Sequence, residues 1–400
     1  MLPGNHWPQI FALSQAISGP LPLLRTLKIS INDSDDPLSR SNLLAAPSPL
    51  LFSGAVNLED FDFEPESAGS LKNFVFPNLT AFKLSYAPIA DFNISDLFDF
   101  LKASPTLQTV EVRICSDVVL EEVPRDLVVL PNVKTFFLSV YGAELQVYEP
   151  VTHISCPHAT YTSLEQHIFD SSMTHGMEVF PNPVSCKTIV HQYSTSPVEE
   201  VTLEIGGYQY MIVATYSLTF ESSNAAVIRF DFELGGSGRA DEELHMSHEE
   251  MNVEIFTQAC RTIRSHPLLS HLKRLHIKDG SNSFGIERAV PMADVVWELF
   301  GSLGPLDELT IQGLDLRLFL TKSRSAGRVF PPVKELTMSD EGIFDDARCM
   351  DAIVELAESQ YRLEKPFDRV TIRAKRVPAV NMAGRLGQWV GAVDCYELLS

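Results

Sequence analysis

Apolar residues along this chain recur in one short pattern, L-x-x-L-x-L. Its last two anchors alternate as on a strand with one face turned to a core. The N-terminal copies read Leu24-x-x-Leu27-x-Ile29, Leu58-x-x-Phe61-x-Phe63, Leu79-x-x-Phe82-x-Leu84, Leu107-x-x-Val110-x-Val112 and Val133-x-x-Phe136-x-Leu138. The pattern returns as Val198-x-x-Val201-x-Leu203, Leu272-x-x-Leu275-x-Ile277, Leu306-x-x-Leu309-x-Ile311, Val333-x-x-Leu336-x-Met338 and Phe367-x-x-Val370-x-Ile372. Prolines such as Pro105, Pro267, Pro305 and Pro366 stand just before these strands. Proline lacks a backbone N–H and forces the preceding residue out of the helical region, so each one separates a helix or turn from the strand that follows.

Helical spacing fills several of the intervals. Ile94, Leu97, Phe98 and Leu101 share one face of a helix. A helix over Glu249–Ser265 is expected to end before Pro267. Pro291 is expected in the first turn of a helix whose apolar face is Val295, Val296, Leu299, Phe300 and Leu303. A helix from Ala347 to Tyr361 is expected to bury Met350, Ile353, Val354 and Ala357. A last amphipathic segment carries Leu386, Trp389, Val390 and Val393. It is expected to cap the end of the core. Met211–Glu221 and Ala225–Leu234, on either side of Ser222-Ser223-Asn224, predict a hairpin. Between Tyr141 and Pro197 the pattern weakens to two short strands, around Tyr161 and over Cys186 to Val190.

With Ile228 of the hairpin included, the middle anchors are separated by ten intervals, and eight of these lie between 21 and 34 residues. That is near the leucine-rich-repeat period. One strand cannot bury its face alone, so the copies are expected to stack. The predicted fold class is α/β, a leucine-rich-repeat solenoid of irregular repeats over residues 1–400. Residues 1–140 would be N-terminal repeats, 141–197 irregular repeats, 198–379 C-terminal repeats and 380–400 a C-terminal cap. Strands pair about 4.8 Å apart whereas helices need roughly 8–10 Å. The stack is therefore expected to curve, with parallel strands on the concave face and helices on the convex one.

Composition narrows the function classes. The net charge of −21, from 52 acidic and 31 basic residues, disfavours binding to nucleic acid or anionic membrane. No apolar run is long enough for a membrane helix, and the N-terminus lacks the charged and apolar regions of a secretory signal. Cys115, Cys156, Cys186, Cys260, Cys349 and Cys395 are scattered without a C-x-x-C pair, as expected of reduced thiols in the cytoplasm or nucleus. Sequons stand at Asn32, Asn78 and Asn93, and Asn78 falls at a predicted strand start, a poor place for a glycan.

Several runs resemble the leucine-rich-repeat region of fungal F-box proteins. They are Gly19 to Leu27, Ser196 to Glu204, Thr262 to Ile277, Gly304 to Ile311, Phe330 to Met338 and Trp389 to Leu398. The resemblance implies a substrate-recognition array coupled, through an F-box, to the adaptor of a cullin–RING ubiquitin ligase. Leu2-Pro3 and Ile10-Phe11 have the spacing of a first F-box helix, but the chain reaches its first repeat by Leu23, so an intact F-box is not expected within it. An adaptor would be a partner if an F-box lies upstream.

Candidates for chemistry are weak. His245 and His248 stand three apart with no cluster to complete a zinc site. Gly235-Gly236-Ser237-Gly238-Arg239 lacks phosphate-loop spacing and predicts a flexible loop. Asp340, Glu341, Asp345 and Asp346 miss the EF-hand alternation. Cys156, His158 and His191 lack any nucleophile context. The expectation is a non-enzyme with no cofactor and no metal. Outward strand positions carry the functional hint: Asp60 and Asp62, with Glu64, then Phe137, then Arg274, His276, Lys278, Arg369 and Arg373. They predict a partner-binding concave face that passes from acidic to basic. The expected function is a protein-interaction scaffold for an unidentified protein substrate. The alternative is a stand-alone repeat protein with no ubiquitin link.

Overall fold

The structure is a computed structural model. It describes residues 21–31, 54–65, 71, 74–85, 94–115, 127–141, 153–168, 197–206, 212–223, 226–235, 248–265, 269–279, 286–313, 319–320, 329–339, 347–374 and 381–397. The chain divides into two compact units, Met1–Phe169 with Cys186–Gln192, and Asp170–Ser185 with Tyr193–Ser400. Both are α/β, built on large, mostly parallel sheet with few helices.

In the first unit the sheet runs β1 (Thr26–Ile31), β2 (Asp60–Pro65), β3 (Ala81–Ser85), β4 (Thr109–Cys115), β6 (Thr135–Tyr141) and β8 (Tyr161–Ile168), all parallel. Two short strands, β5 (Val128–Val129) and β7 (Ile154–Ser155), pair separately, and helix α1 (Ile94–Lys102) precedes β4. The same local device starts each strand. A tight turn brings the amide of Leu58, Leu79, Leu107, Val133 or Ala159 onto the carbonyl three residues earlier. Two successive amides then share one carbonyl of the preceding repeat, as Glu59 and Asp60 share that of Arg25. A side-chain ladder reinforces this start. Asn57 donates to the Pro22 carbonyl at 2.9 Å, Asn78 to Val56 at 2.7 Å, Thr106 to Pro77 at 3.2 Å and Asn132 to Pro105 at 3.0 Å. Asn78, noted above only as a sequon, thus has a structural role; Asn32 and Asn93 lie outside the described residues.

Register then follows from alternation. Leu27, Phe61, Phe82, Val110 and Phe136 stack strand to strand, and so do Ile29, Phe63, Leu84, Val112, Leu138 and Leu164. The core here is rich in phenylalanine. Phe61 meets Phe63, Phe74, Phe76, Phe82 and Phe100 at centroid distances of 5.0–6.1 Å. Each such buried side chain contributes roughly 1.5–3 kcal/mol relative to exposure.

The second unit orders its strands β11 (Val227–Gly235), β10 (Ile212–Ser222), β9 (Val198–Gly206), β12 (Arg274–Asp279), β13 (Leu306–Gln312), β14 (Val333–Ser339), β15 (Arg369–Ala374) and β16 (Ala392–Glu397). The β10–β11 hairpin is antiparallel, as expected, and β10 is antiparallel to β9 as well. From β9 onward all pairs are parallel. The inward rows are Val201, Leu275, Leu309, Leu336, Val370, Val393 and Leu203, Ile277, Ile311, Met338, Ile372, Cys395.

Helices α2 (His248–Ser265), α3 (Ile286–Phe300), α4 (Ala347–Arg362) and α5 (Asn381–Leu386) fall between these strands in sequence. Three expectations change. Pro291 sits in the second turn of α3, not its first, because the helix already starts at Ile286. The buried face of α4 is rotated: Cys349, Ala352, Leu356 and Gln360 join Ile353 and Ala357, while Met350 and Val354 are half-buried. The last amphipathic segment splits into α5 and strand β16, so Val393 extends the sheet. Gly391 permits this. A Cβ there would lie 2.7 Å from the Asp368 carbonyl oxygen, and the Gly391 amide donates to Phe367 at 3.1 Å. Trp297, which the helical spacing left out, is buried in the second unit. It stacks on Phe319 at 4.9 Å and donates its indole N–H to the Phe319 carbonyl at 3.1 Å. The strand expected around Tyr161 is β8, and that over Cys186 to Val190 lies outside the described residues.

Candidate functional site

Inward residues are consumed by packing, so any recognition chemistry must come from the alternate positions. In the second unit these form rows across the strands, about 4.8 Å apart. The row nearest the strand starts reads Glu200, Arg274, Glu308, Glu335, Arg369. The next reads Thr202, His276, Thr310, Thr337, Thr371, Asp394, and the third Glu204, Lys278, Gln312, Ser339, Arg373, Tyr396.

The basic residues of β12 face the acidic strand β9. Arg274 Nε donates to Glu200 Oε2 at 2.6 Å, His276 Nε2 lies 3.4 Å from Glu200 Oε1, and Lys278 Nζ lies 2.7 Å from Glu204 Oε1. The hydrogen bond to Glu200, aided by the charges of Glu199 and Glu308, holds the Arg274 guanidinium above its already high range. Just before the strands a further ladder alternates in sign. Lys273 meets Glu199 at 2.7 Å and Lys334 meets Asp307 at 2.7 Å. The Lys334 ammonium, as hydrogen-bond donor, holds the Asp307 carboxyl below its ordinary value, and Asp307 raises Lys334 in return. Arg369 pairs with Asp394 at 3.4 Å. Arg373 is exposed and has no ion partner among the described residues.

The first unit repeats this logic. Lys28, Asp62, Lys83 and Glu111 stand in register with alternating sign, Lys28 3.0 Å from Asp62 and Lys83 3.3 Å from Glu111. Asp60 accepts from Thr26 Oγ1 at 3.3 Å, and Arg25 pairs with Glu59. Phe137 is half-buried, with the Arg113 guanidinium 5.3 Å from its ring centroid. Arg113 also reaches Glu111 at 3.0 Å. Nearby, Tyr141 and His167 stack at 4.3 Å, and His167 lies 3.4 Å from Glu165. In register between Arg113 and Glu165, Ser139 is buried with its hydroxyl unbonded.

Of the eight residues expected on one face, Asp60, Asp62 and Phe137 thus belong to the first unit. Arg274, His276, Lys278, Arg369 and Arg373 belong to the second, on strands three steps apart. Within each unit most neighbouring charges alternate in sign from strand to strand and pair internally, the Glu308–Glu335 neighbours on β13 and β14 being an exception. Spacing along one strand could not show this, because Glu200 lies 74 residues from Arg274. A legible signal did exist: Glu199-Glu200 and Glu204 occupy the same repeat positions as Lys273-Arg274 and Lys278.

No family model matches this chain, and neither does any curated protein. What the face can do is therefore judged on its own chemistry. Among the described residues no three His, Cys, Asp or Glu side chains group as metal ligands, and no helix is long and apolar enough to cross a membrane. Cys156, Cys260, Cys349 and Cys395 form no disulfide with one another. Burial pushes Cys156 up to about 12 and Cys260 higher still, which removes the thiolate a nucleophile needs. The side chains of His245 and His248, with His191 and the acids at 340–346, lie outside the described residues, and His158 is exposed.

Proposed function

We propose that this chain is a leucine-rich-repeat interaction scaffold, irregular in its repeats, whose outward strand face receives a protein partner. One observation carries the reading. The strand-start turn recurs through the first unit, and shared carbonyls and inward apolar rows recur in both, which leaves most of the outward positions outside the core. In leucine-rich repeats that face is the concave one, and it is the default binding surface. The resemblance to fungal F-box proteins extends the reading to substrate recognition for a cullin–RING ubiquitin ligase. Cysteines outside disulfides and a net charge of −21 suit a cytoplasmic or nuclear setting.

The ligase arm is tested by titrating the purified adaptor against this chain, and against any longer transcript product, by calorimetry. Binding of the longer product supports the receptor reading. Absence of binding by both leaves the stand-alone scaffold, the alternative reading.

A further inference from the structure

We infer that the binding face of the second unit is centred on β13–β15, not on the basic strand β12, and that it takes an extended peptide segment carrying a basic side chain at one end and a carboxylate at the other. The inference rests on the protein-binding reading above and specifies the partner's chemistry.

Internal pairing removes most charges from consideration. Arg274, His276 and Lys278 are held by Glu200 and Glu204, Lys334 by Asp307, and Arg369 by Asp394. What remains is uneven. Glu308 and Glu335 stand directly in register on adjacent strands, and neither makes an ion pair among the described residues. Glu308 only accepts from the Thr310 hydroxyl, at 3.3 Å. Like charges directly opposite are destabilising in a sheet. Among the paired strands within each unit, one other like-charged pair stands in register, Glu200 with Glu221, and there Arg274 relieves it. Arg274 and Arg369 flank the Glu308–Glu335 pair in register, but their ion pairs are made with Glu200 and Asp394, so the two glutamates still have bonds to offer a cation from outside.

The opposite residue lies at the other end of the same strands. Arg373 is exposed without an ion partner among the described residues, between Ser339 and Tyr396 in register. Between the two poles run Thr310 and Thr337, half-buried, and Thr371, buried, short side chains with no charge. The glutamate and Arg373 rows are four residues apart, about 13 Å along the strand. A segment in extended conformation spans that distance with a basic residue and an acidic residue about four positions apart. Charge complementarity of this kind fixes orientation as well as attraction.

The probe is a phage-displayed library of short random peptides selected on the full chain, with affinities of the selected peptides read by fluorescence anisotropy. Enrichment of a basic residue about four positions from an acidic one is expected. Binding should weaken about tenfold or more in the E308Q/E335Q double variant. Arg373→Glu should weaken it as well, with recovery when the peptide's acid is exchanged for lysine. Thr337→Lys, which obstructs the middle of the face, separates the two failures. Peptides lost with Thr337→Lys but unchanged in E308Q/E335Q overturn the inference and leave the docking face standing. Peptides indifferent to Thr337→Lys, or a selection that yields none, overturn the docking face and the inference together.

Discussion

Cys260 shows how completely a side chain can be taken out of circulation. It lies on α2 among Phe256, Ala259 and Ile263, all buried, and its thiol is pushed up by that burial alone. Cys156 is buried as well, its thiol pushed up to about 12 by the same cause, and Cys349 is fully buried. A variant retaining only these three cysteines should leave a thiol-reactive disulfide reagent unreacted near neutral pH and react fully in denaturant. Fast reaction in native buffer would contradict the packing. Asp307 makes the opposite case, a half-exposed group whose proton is controlled chiefly by Lys334, with Lys273 and Arg274 adding to the effect. Its carboxyl is held below the ordinary 3.8 by the hydrogen bond from Lys334. A depressed folded value means the stabilisation is present above the unfolded value and lost as pH falls through the folded one. Lys334 is raised above 10.5, so its share persists below that pH and disappears as pH rises through the folded value. The stability difference between the wild type and Asp307→Asn should hold through neutral pH and close in acid, as measured by urea midpoints. It should shrink in high salt, since both partners are exposed.

At the scale of elements, β2 depends on one ring. Phe61 touches five other phenylalanines, so Phe61→Ala leaves a cavity that its neighbours cannot fill and should cost about 3–5 kcal/mol by chemical denaturation. The end of α4 offers a gain instead. Glu364 has φ 59°, while Lys365 N–H bonds to Gln360 and Glu364 N–H to Tyr361, the hydrogen-bond pair of a Schellman cap. Glycine is the residue that left-handed position favours, so Glu364→Gly should raise stability by about 1 kcal/mol. The inward halves of these elements were readable from spacing, because Leu275 and Ile277 obey a period of two whatever stands beside them. The outward halves were not, since the chemistry of Arg274 depends on which strand is its neighbour. That neighbour is β9, reached only after the β10–β11 hairpin and α2 have intervened in sequence. Trp297 escaped for a related reason: it completes the buried side of α3 against Phe319, a contact that helical periodicity alone does not contain.

For the whole molecule, charge works at two ranges. At long range the excess of acids repels polyanions, and the basic rows do not offset it because they are locally spent. Anisotropy titrations with a duplex or single-stranded oligonucleotide at physiological salt should show no saturable binding; tight, salt-sensitive binding would mean that a basic surface is available after all. At short range the signs alternate from one strand to the next: Glu199, Lys273, Asp307, Lys334, Asp368. Such a sequence has a parity. Removing the single repeat that carries Asp307 would set Lys273 beside Lys334, and duplicating it would set Asp307 beside its own copy. Removing or adding two neighbouring repeats keeps the signs in step. Because these groups are exposed, each such like-charged contact costs at most about 1 kcal/mol, a mild bias toward internal changes by even numbers of repeats rather than a bar to odd ones.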